Sequence, residues 1–162
     1  KNDVLISYDT NLRLKLWSLE QARETIQKTI PFSDFLFPSL EDSIILTELT
    51  EPTDIVDYYL KNGAKLVALK LGSGGVLVAN KDSCHKINGK VVETVDATGA
   101  GDSFNGAFLS EWLRHGNPLE SAQYANAAAA LSTTGIGAVE PIPDRLDVEN
   151  FLKSSSNQVC KS

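Results

Sequence analysis

Ten consecutive residues, Val95-Asp96-Ala97-Thr98-Gly99-Ala100-Gly101-Asp102-Ser103-Phe104, carry the strongest chemical signal in the chain. An apolar strand end runs into a glycine loop and then into a helix whose first turn holds a carboxylate. Amides of Gly99, Ala100 and Gly101 in such a loop face outward with no bulky side chains in the way. The helix dipole adds partial positive charge, so a phosphoryl group in transfer fits there. Asp102 stands where it could accept the proton of an attacking hydroxyl. A plain strand-to-helix crossover, with Asp102 only favouring the helix start, would use the same residues. Neither a G-K-[S/T] Walker element nor a G-x-G-x-x-G fingerprint is present, so phosphate is implied through a different cradle.

Three other places could contribute. Lys70 ends an apolar run just before Gly72, Ser73, Gly74 and Gly75, so its ammonium can reach a phosphate while the glycines let the backbone approach. An exposed strand-end lysine before a turn is the alternative. Alternation along an extended 8–13 segment puts Asp9, Asn11 and Arg13 on one side. The Arg13 guanidinium there suits a substrate carboxylate, because its fork makes two parallel charged hydrogen bonds; a solvated charge at a strand end is the competing reading. Glu41 and Asp42 open a short helix. His85 and His115 stand alone, and Trp17 and Trp112 are read as packing residues.

The elements that must position these residues alternate. Residues 4–8 read as a buried parallel strand, and Ser18 with Gln21 forms a capping box ahead of Leu19, Ala22, Ile26 and Ile30 at helical spacing. A short apolar run at 35–37 follows, then a helix from Pro52 toward Gly63 and a strand over 66–71. Residues 76–78, 85–87 and 91–95, separated by turns, predict a small antiparallel meander. Phe104, Phe108 and Trp112 define a helix that Gly116 ends, Pro118 starts an alanine-rich helix, and Asp144 caps a last helix to about Lys153. The pattern predicts a mostly parallel α/β sheet with helices on both faces and the meander at one edge. Ligands bind outside the carboxyl ends of such strands, so the loops after Tyr8, Phe37, Leu71 and Val95 should share a rim.

Composition narrows the field. The chain has 162 residues, 42% hydrophobic and 22% charged, which fits a globular domain and excludes disordered and collagen-like classes. A net charge of -6 argues against nucleic acid as a main partner. No apolar run of membrane-spanning length and no leader pattern occurs, and Cys84 and Cys160 lack metal-ligand spacing, so a cytoplasmic protein with reduced thiols is expected.

The string Asp96-x-Thr98-Gly99-Ala100-Gly101-Asp102-x-Phe104-x-Gly106 resembles the C-terminal signature of the ribokinase-like (PfkB) family of sugar kinases. Other segments fall in that family's order: 70–75 resembles its nucleotide phosphate loop, 38–42 its N-x-x-E region, and 126–130 the helix beside the adenine. Ser39 and Asp42 stand where the family pattern has Asn and Glu. The resemblance implies a ribokinase-like three-layer α/β/α sandwich, of which residues 1–153 would form the C-terminal part, with a polar, frayed tail over 154–162. It implies Asp102 as catalytic base and Gly99, Ala100 and Gly101 as anion hole. Asn11, Lys70, Gly72, Ser73, Gly75 and Asn126 would contact nucleotide, although Asn126 could equally be a half-buried amide bonded to the neighbouring loop. ATP and Mg2+ are the implied cofactors, with the metal held mainly by ATP and through water by Glu41 and Asp42.

Within the family, residues 8–17 are most similar to 2-keto-3-deoxygluconate kinases. The expected function is therefore ATP-dependent phosphorylation of that sugar acid at its 6-position, with Arg13 orienting the carboxylate. Another sugar or nucleoside kinase and a non-catalytic nucleotide-binding module are the alternatives. Such kinases are roughly twice this length, so the chain by itself is expected to be inactive or very weak. The complete protein is expected to form a homo-oligomer.

Overall fold

A computed structural model describes residues 4–157, with side-chain surroundings through residue 154. The chain divides into two compact units, Lys1–Lys86 and Ile87–Ser162. The first holds most of a five-stranded sheet in the order β1 (Ser7–Tyr8), β2 (Phe35–Leu36), β3 (Leu66–Lys70), β4 (Val76–Asn80), β5 (Cys84–Ile87). β1 pairs parallel with β2 in the register Ser7 to Phe35, and β2 pairs parallel with β3 in the register Leu36 to Val67. β3 and β4 pair antiparallel, Lys70 opposite Val76. The α/β class and its parallel-then-antiparallel sheet follow the sequence pattern.

Helices join the parallel strands, and local chemistry explains where they begin. Helix α1 (Leu19–Thr29) opens on the capping box: Gln21 N–H donates to Ser18 Oγ at 3.2 Å while the Gln21 side chain accepts from the Ser18 amide. Helix α2 (Leu40–Thr47) opens on Ser39, whose Oγ accepts from the Asp42 amide. Helix α3 (Pro52–Lys61) opens on Pro52, which has no amide to satisfy, and packs on β3 and β4. Their apolar faces meet the sheet in a core that includes Ile26, Ile30, Leu36, Ile55, Tyr59, Val67 and Leu69. Tyr59 buries its ring and donates its hydroxyl hydrogen bond to Ser43 Oγ at 3.0 Å. Burial pushes its pKa up to about 12.

Two apolar runs depart from expectation. Only Ser7 and Tyr8 of the 4–8 run form ladder, and Val4, Leu5 and Ile6 are exposed rather than buried, because β1 lies at the edge of the described sheet and is covered on fewer sides. Residues 91–95 form no strand at all; Val91 is 98% exposed, and the segment is held at its end by the Val95 and Asp96 amides, both donating to Thr133 O. The meander is therefore β4 and β5 alone.

The second unit is helical. Helix α4 (Ala100–His115) packs on α5 (Pro118–Ser132), and α5 on α6 (Arg145–Asn157). The small side chains of Ala122, Ala125, Ala127 and Ala128 are buried and let the helix axes approach. Asp144 and Asp147 cap α6 reciprocally, each accepting from the other's amide. The helix continues past Lys153 to Asn157, so residues 154–157 of the expected frayed tail are helical; residues 158–162, Cys160 among them, lie outside the described residues. Near the C-terminal end of α4, Glu111 is only 7% exposed and accepts from Arg145 Nη1 at 2.8 Å, with His115 Nε2 at 3.3 Å and Arg114 Nε at 3.5 Å. Arg145 also lies over the Tyr124 ring. No described helix is long and apolar enough to cross a membrane.

Candidate functional site

In the first unit, the loops after β1, β2 and β3 meet at the carboxyl rim of the parallel strands. After Tyr8 the chain alternates: Thr10 and Leu12 are buried, while Asn11 and Arg13 are exposed and Asp9 is half-buried. The segment is not a plain strand, because Asn11 has a φ of 35° and its N–H donates to Asp9 Oδ1 at 3.0 Å, a tight side-chain turn. Asp9 Oδ2 accepts from Lys70 Nζ at 2.7 Å. Lys70 N–H in turn donates to Pro38 O, and Ser39 bridges to Lys70, so the three loops are tied through one lysine.

Beyond Lys70, Gly72–Gly74 makes a 3-10 turn closed by Leu71 N–H donating to Gly75 O. Ser73 is exposed within it and Gly75 is buried behind it. Asp42 Oδ2 accepts from the Leu12 amide at 3.0 Å, which ties the start of α2 to the loop after β1; Glu41 is exposed. Arg13 Nη1 donates to the carbonyl of its neighbour Leu12 at 3.2 Å. No group of three or more His, Cys, Asp or Glu that could hold a metal exists among the described residues.

In the second unit, Asp96 organises the glycine loop. Its Oδ1 accepts from the Thr98 amide and hydroxyl at 2.9 and 2.6 Å, and its Oδ2 accepts from the Gly137 amide at 2.9 Å. The Thr98 hydroxyl first, then the two amides, hold the Asp96 carboxyl below the usual range. Gly99 follows with a φ of 77°, and a Cβ there would stand 2.8 Å from Ala138 Cβ and 3.1 Å from Ala138 Cα, so only glycine fits. From that left-handed position no side chain caps α4.

The Ala100 amide donates to Ala97 O at 3.2 Å and Ser103 donates to Gly99 O. Ala100 is thus turned back into the loop rather than outward as its sequence suggested. Gly101 and Asp102 are the first-turn amides left without an acceptor among the described residues. The Asp102 side chain is exposed in that turn. Asn126, 7% exposed, donates its side-chain amide to Asn88 O at 2.8 Å, which is the alternative of an amide bonded to the neighbouring loop. Sequence reasoning gave no role to Asp9 or Asp96; a side-chain turn two residues long, Asp-x-Asn and Asp-x-Thr, is the local signal that both share.

The model of the pfkB family carbohydrate kinases matches residues 1–145. The chain belongs to that family. Among its pfkB relatives, a probable fructokinase-5 of Arabidopsis thaliana is 36% identical over 94% of this chain and 50% of its own length. The 2-dehydro-3-deoxygluconokinase of Bacillus subtilis (strain 168) is 35% identical over 92% of this chain and 47% of its own. The E. coli protein called ribokinase II, solved with ATP and Mg2+, superposes with a TM-score of 0.86 at 28% identity over 94% of this chain and 50% of that one. A Vibrio cholerae O395 fructokinase solved with fructose, ADP and calcium gives 0.83 at 30% identity over 91% and 50%. The fold is accordingly ribokinase-like. The chain spans about half the length of the curated relatives it matches. Fructokinases stand at least as near as the keto-acid kinase, so kinship with pfkB proteins reaches to sugar kinases without selecting the sugar.

Proposed function

We propose that the chain carries the nucleotide-binding and proton-accepting parts of an ATP-dependent sugar kinase that phosphorylates a primary hydroxyl. The observation that carries this reading is the start of α4: a helix without a side-chain cap, two amides with no acceptor among the described residues, and an exposed carboxylate in the same turn. In this reading the Gly101 and Asp102 amides, with Gly99 shaping the turn, receive the transferring phosphoryl group. Asp102 takes the proton of the attacking hydroxyl at its carboxylate oxygen. Lys70, Gly72, Ser73 and Gly75 serve the nucleotide phosphates, with Asn11 a further nucleotide contact on the loop after β1, while the Asn126 side-chain amide is engaged by Asn88 O. In this reading Mg2+ would be carried by the ATP phosphates and reached from Glu41 or Asp42 through water. That ion supplies charge neutralisation on the phosphates.

For the acceptor we infer a sugar acid such as 2-keto-3-deoxygluconate, supported by an exposed Arg13 on the loop after β1, four residues beyond Asp9. A neutral ketose is the second reading, favoured by the 36% identity to the Arabidopsis fructokinase. ADP release with MgATP and either sugar, measured on this chain and on any longer product of its gene, separates them. Asp102→Asn is expected to lower turnover by roughly 10²- to 10⁴-fold with nucleotide affinity little changed; near-normal turnover would remove Asp102 as base. Arg13→Ala is expected to raise KM for the keto acid and leave fructose untouched.

A further inference from the structure

The Lys70–Asp9 contact joins residues 61 positions apart and lies mostly out of solvent, with the two side chains 15% and 26% exposed. Asp9 does not float in this pair. Its second oxygen is fixed by the Asn11 amide, in a turn where Asn11 takes a positive φ. The carboxylate is therefore a rigid anchor, and the lysine, an otherwise flexible four-carbon arm, is held by it at the end of β3 directly before the Gly72–Gly74 turn. An ammonium has three donors in a tetrahedral spread, so a carboxylate and a phosphate oxygen can be served by the same group.

We propose that Asp9 is a positioning residue that fixes the Lys70 ammonium at the sheet rim to receive a polyphosphate. The proposal rests on the nucleotide reading given above. It makes a prediction opposite in sign to simple charge counting: removing an anion beside a polyphosphate site should tighten binding, whereas removing an anchor should weaken it.

Calorimetric titration of the full chain with inorganic tripolyphosphate and with ATP, at fixed ionic strength, tests it. Asp9→Asn keeps an oxygen for the Asn11 amide but loses the charge that holds Lys70. It is expected to weaken both ligands by about tenfold. In a Lys70→Met background the same Asp9→Asn change is expected to have no further effect, which a merely structural role for Asp9 would not produce. Lys70→Arg keeps the charge but changes its reach and shape, and is expected to weaken binding as well.

Equal or tighter binding by Asp9→Asn overturns the proposal, as does an undiminished Asp9→Asn effect without Lys70, or wild-type affinity in Lys70→Arg. If Asp9→Asn does not fold, the Lys70→Arg outcome alone decides. Tripolyphosphate bound as tightly as ATP, with the Asp9 effect intact, would support the positioning role and sink the nucleotide reading. No binding of either probe by the unaltered chain would overturn both.

Discussion

Helices α4 and α5 follow one another in the second unit, yet they begin in opposite ways. At the start of α5, Asn117 Oδ1 accepts from the Leu119 and Glu120 amides, Pro118 has no amide to satisfy, and Ser121 Oγ donates back to Asn117 O. At the start of α4, a left-handed glycine stands in the cap position and no side chain closes the turn. Alone among the described α-helices, α4 has neither a side-chain cap nor a proline at its start. Capping is worth about 1 kcal/mol per helix. A helix that forgoes it keeps its donors available to a ligand, and the loop before it must then be held by other means, here Asp96 and the close approach of Ala138.

The contrast can be broken most severely at Gly99. Gly99→Ala would force a Cβ to 2.8 Å from Ala138 in a left-handed backbone, and is expected to cost about 3 kcal/mol in urea unfolding. Asn117→Ala removes an ordinary cap and should cost about 1.5 kcal/mol in the same assay, with no effect on polyphosphate binding. Gly116, at the far end of α4, also has a positive φ but would meet nothing within 4 Å. Gly116→Ala should therefore cost only about 1 kcal/mol, the conformational part alone. A Gly99→Ala loss no larger than that of Gly116→Ala would show that the Ala138 approach does not constrain the loop.

The smallest effect is one of pH. Because the folded Asp96 pKa is depressed, its contribution is present above the ordinary value of 3.8 and is lost as pH falls through the lower folded value. The Thr98 and Gly137 amide resonances should titrate together with a midpoint below 3.8.

Short-range features were legible from sequence because their partners are neighbours in the chain. Ser18 with Gln21, Pro52, Pro118 and Gly116 each mark a helix end by a contact within four residues, and all stand where the pattern put them. The glycine loop was legible as a unit, but the direction of the Ala100 amide was not, since it depends on the φ that Gly99 adopts. Residues 91–95 have the β-branched composition of a strand, yet that composition reports fitness for a half-buried surface and not the presence of one. The Lys70–Asp9 pair was out of reach for a different reason: it exists only once the parallel register sets the end of β1 near the end of β3.

Glu111 gives the base of α4 a bearing. Asp102 lies nine residues nearer the N-terminus on the same helix, about 14 Å along a nearly rigid rod. A rotation of about 5° about the Glu111 end would sweep Asp102 through about 1 Å, a displacement large enough to cost about 10²-fold in a positioned reaction. If Asp102 is the base proposed above, the carboxylate that ties α4 to Arg145 of α6 bears on its aim as well as on stability, and the precision of one end of this helix is set at the other.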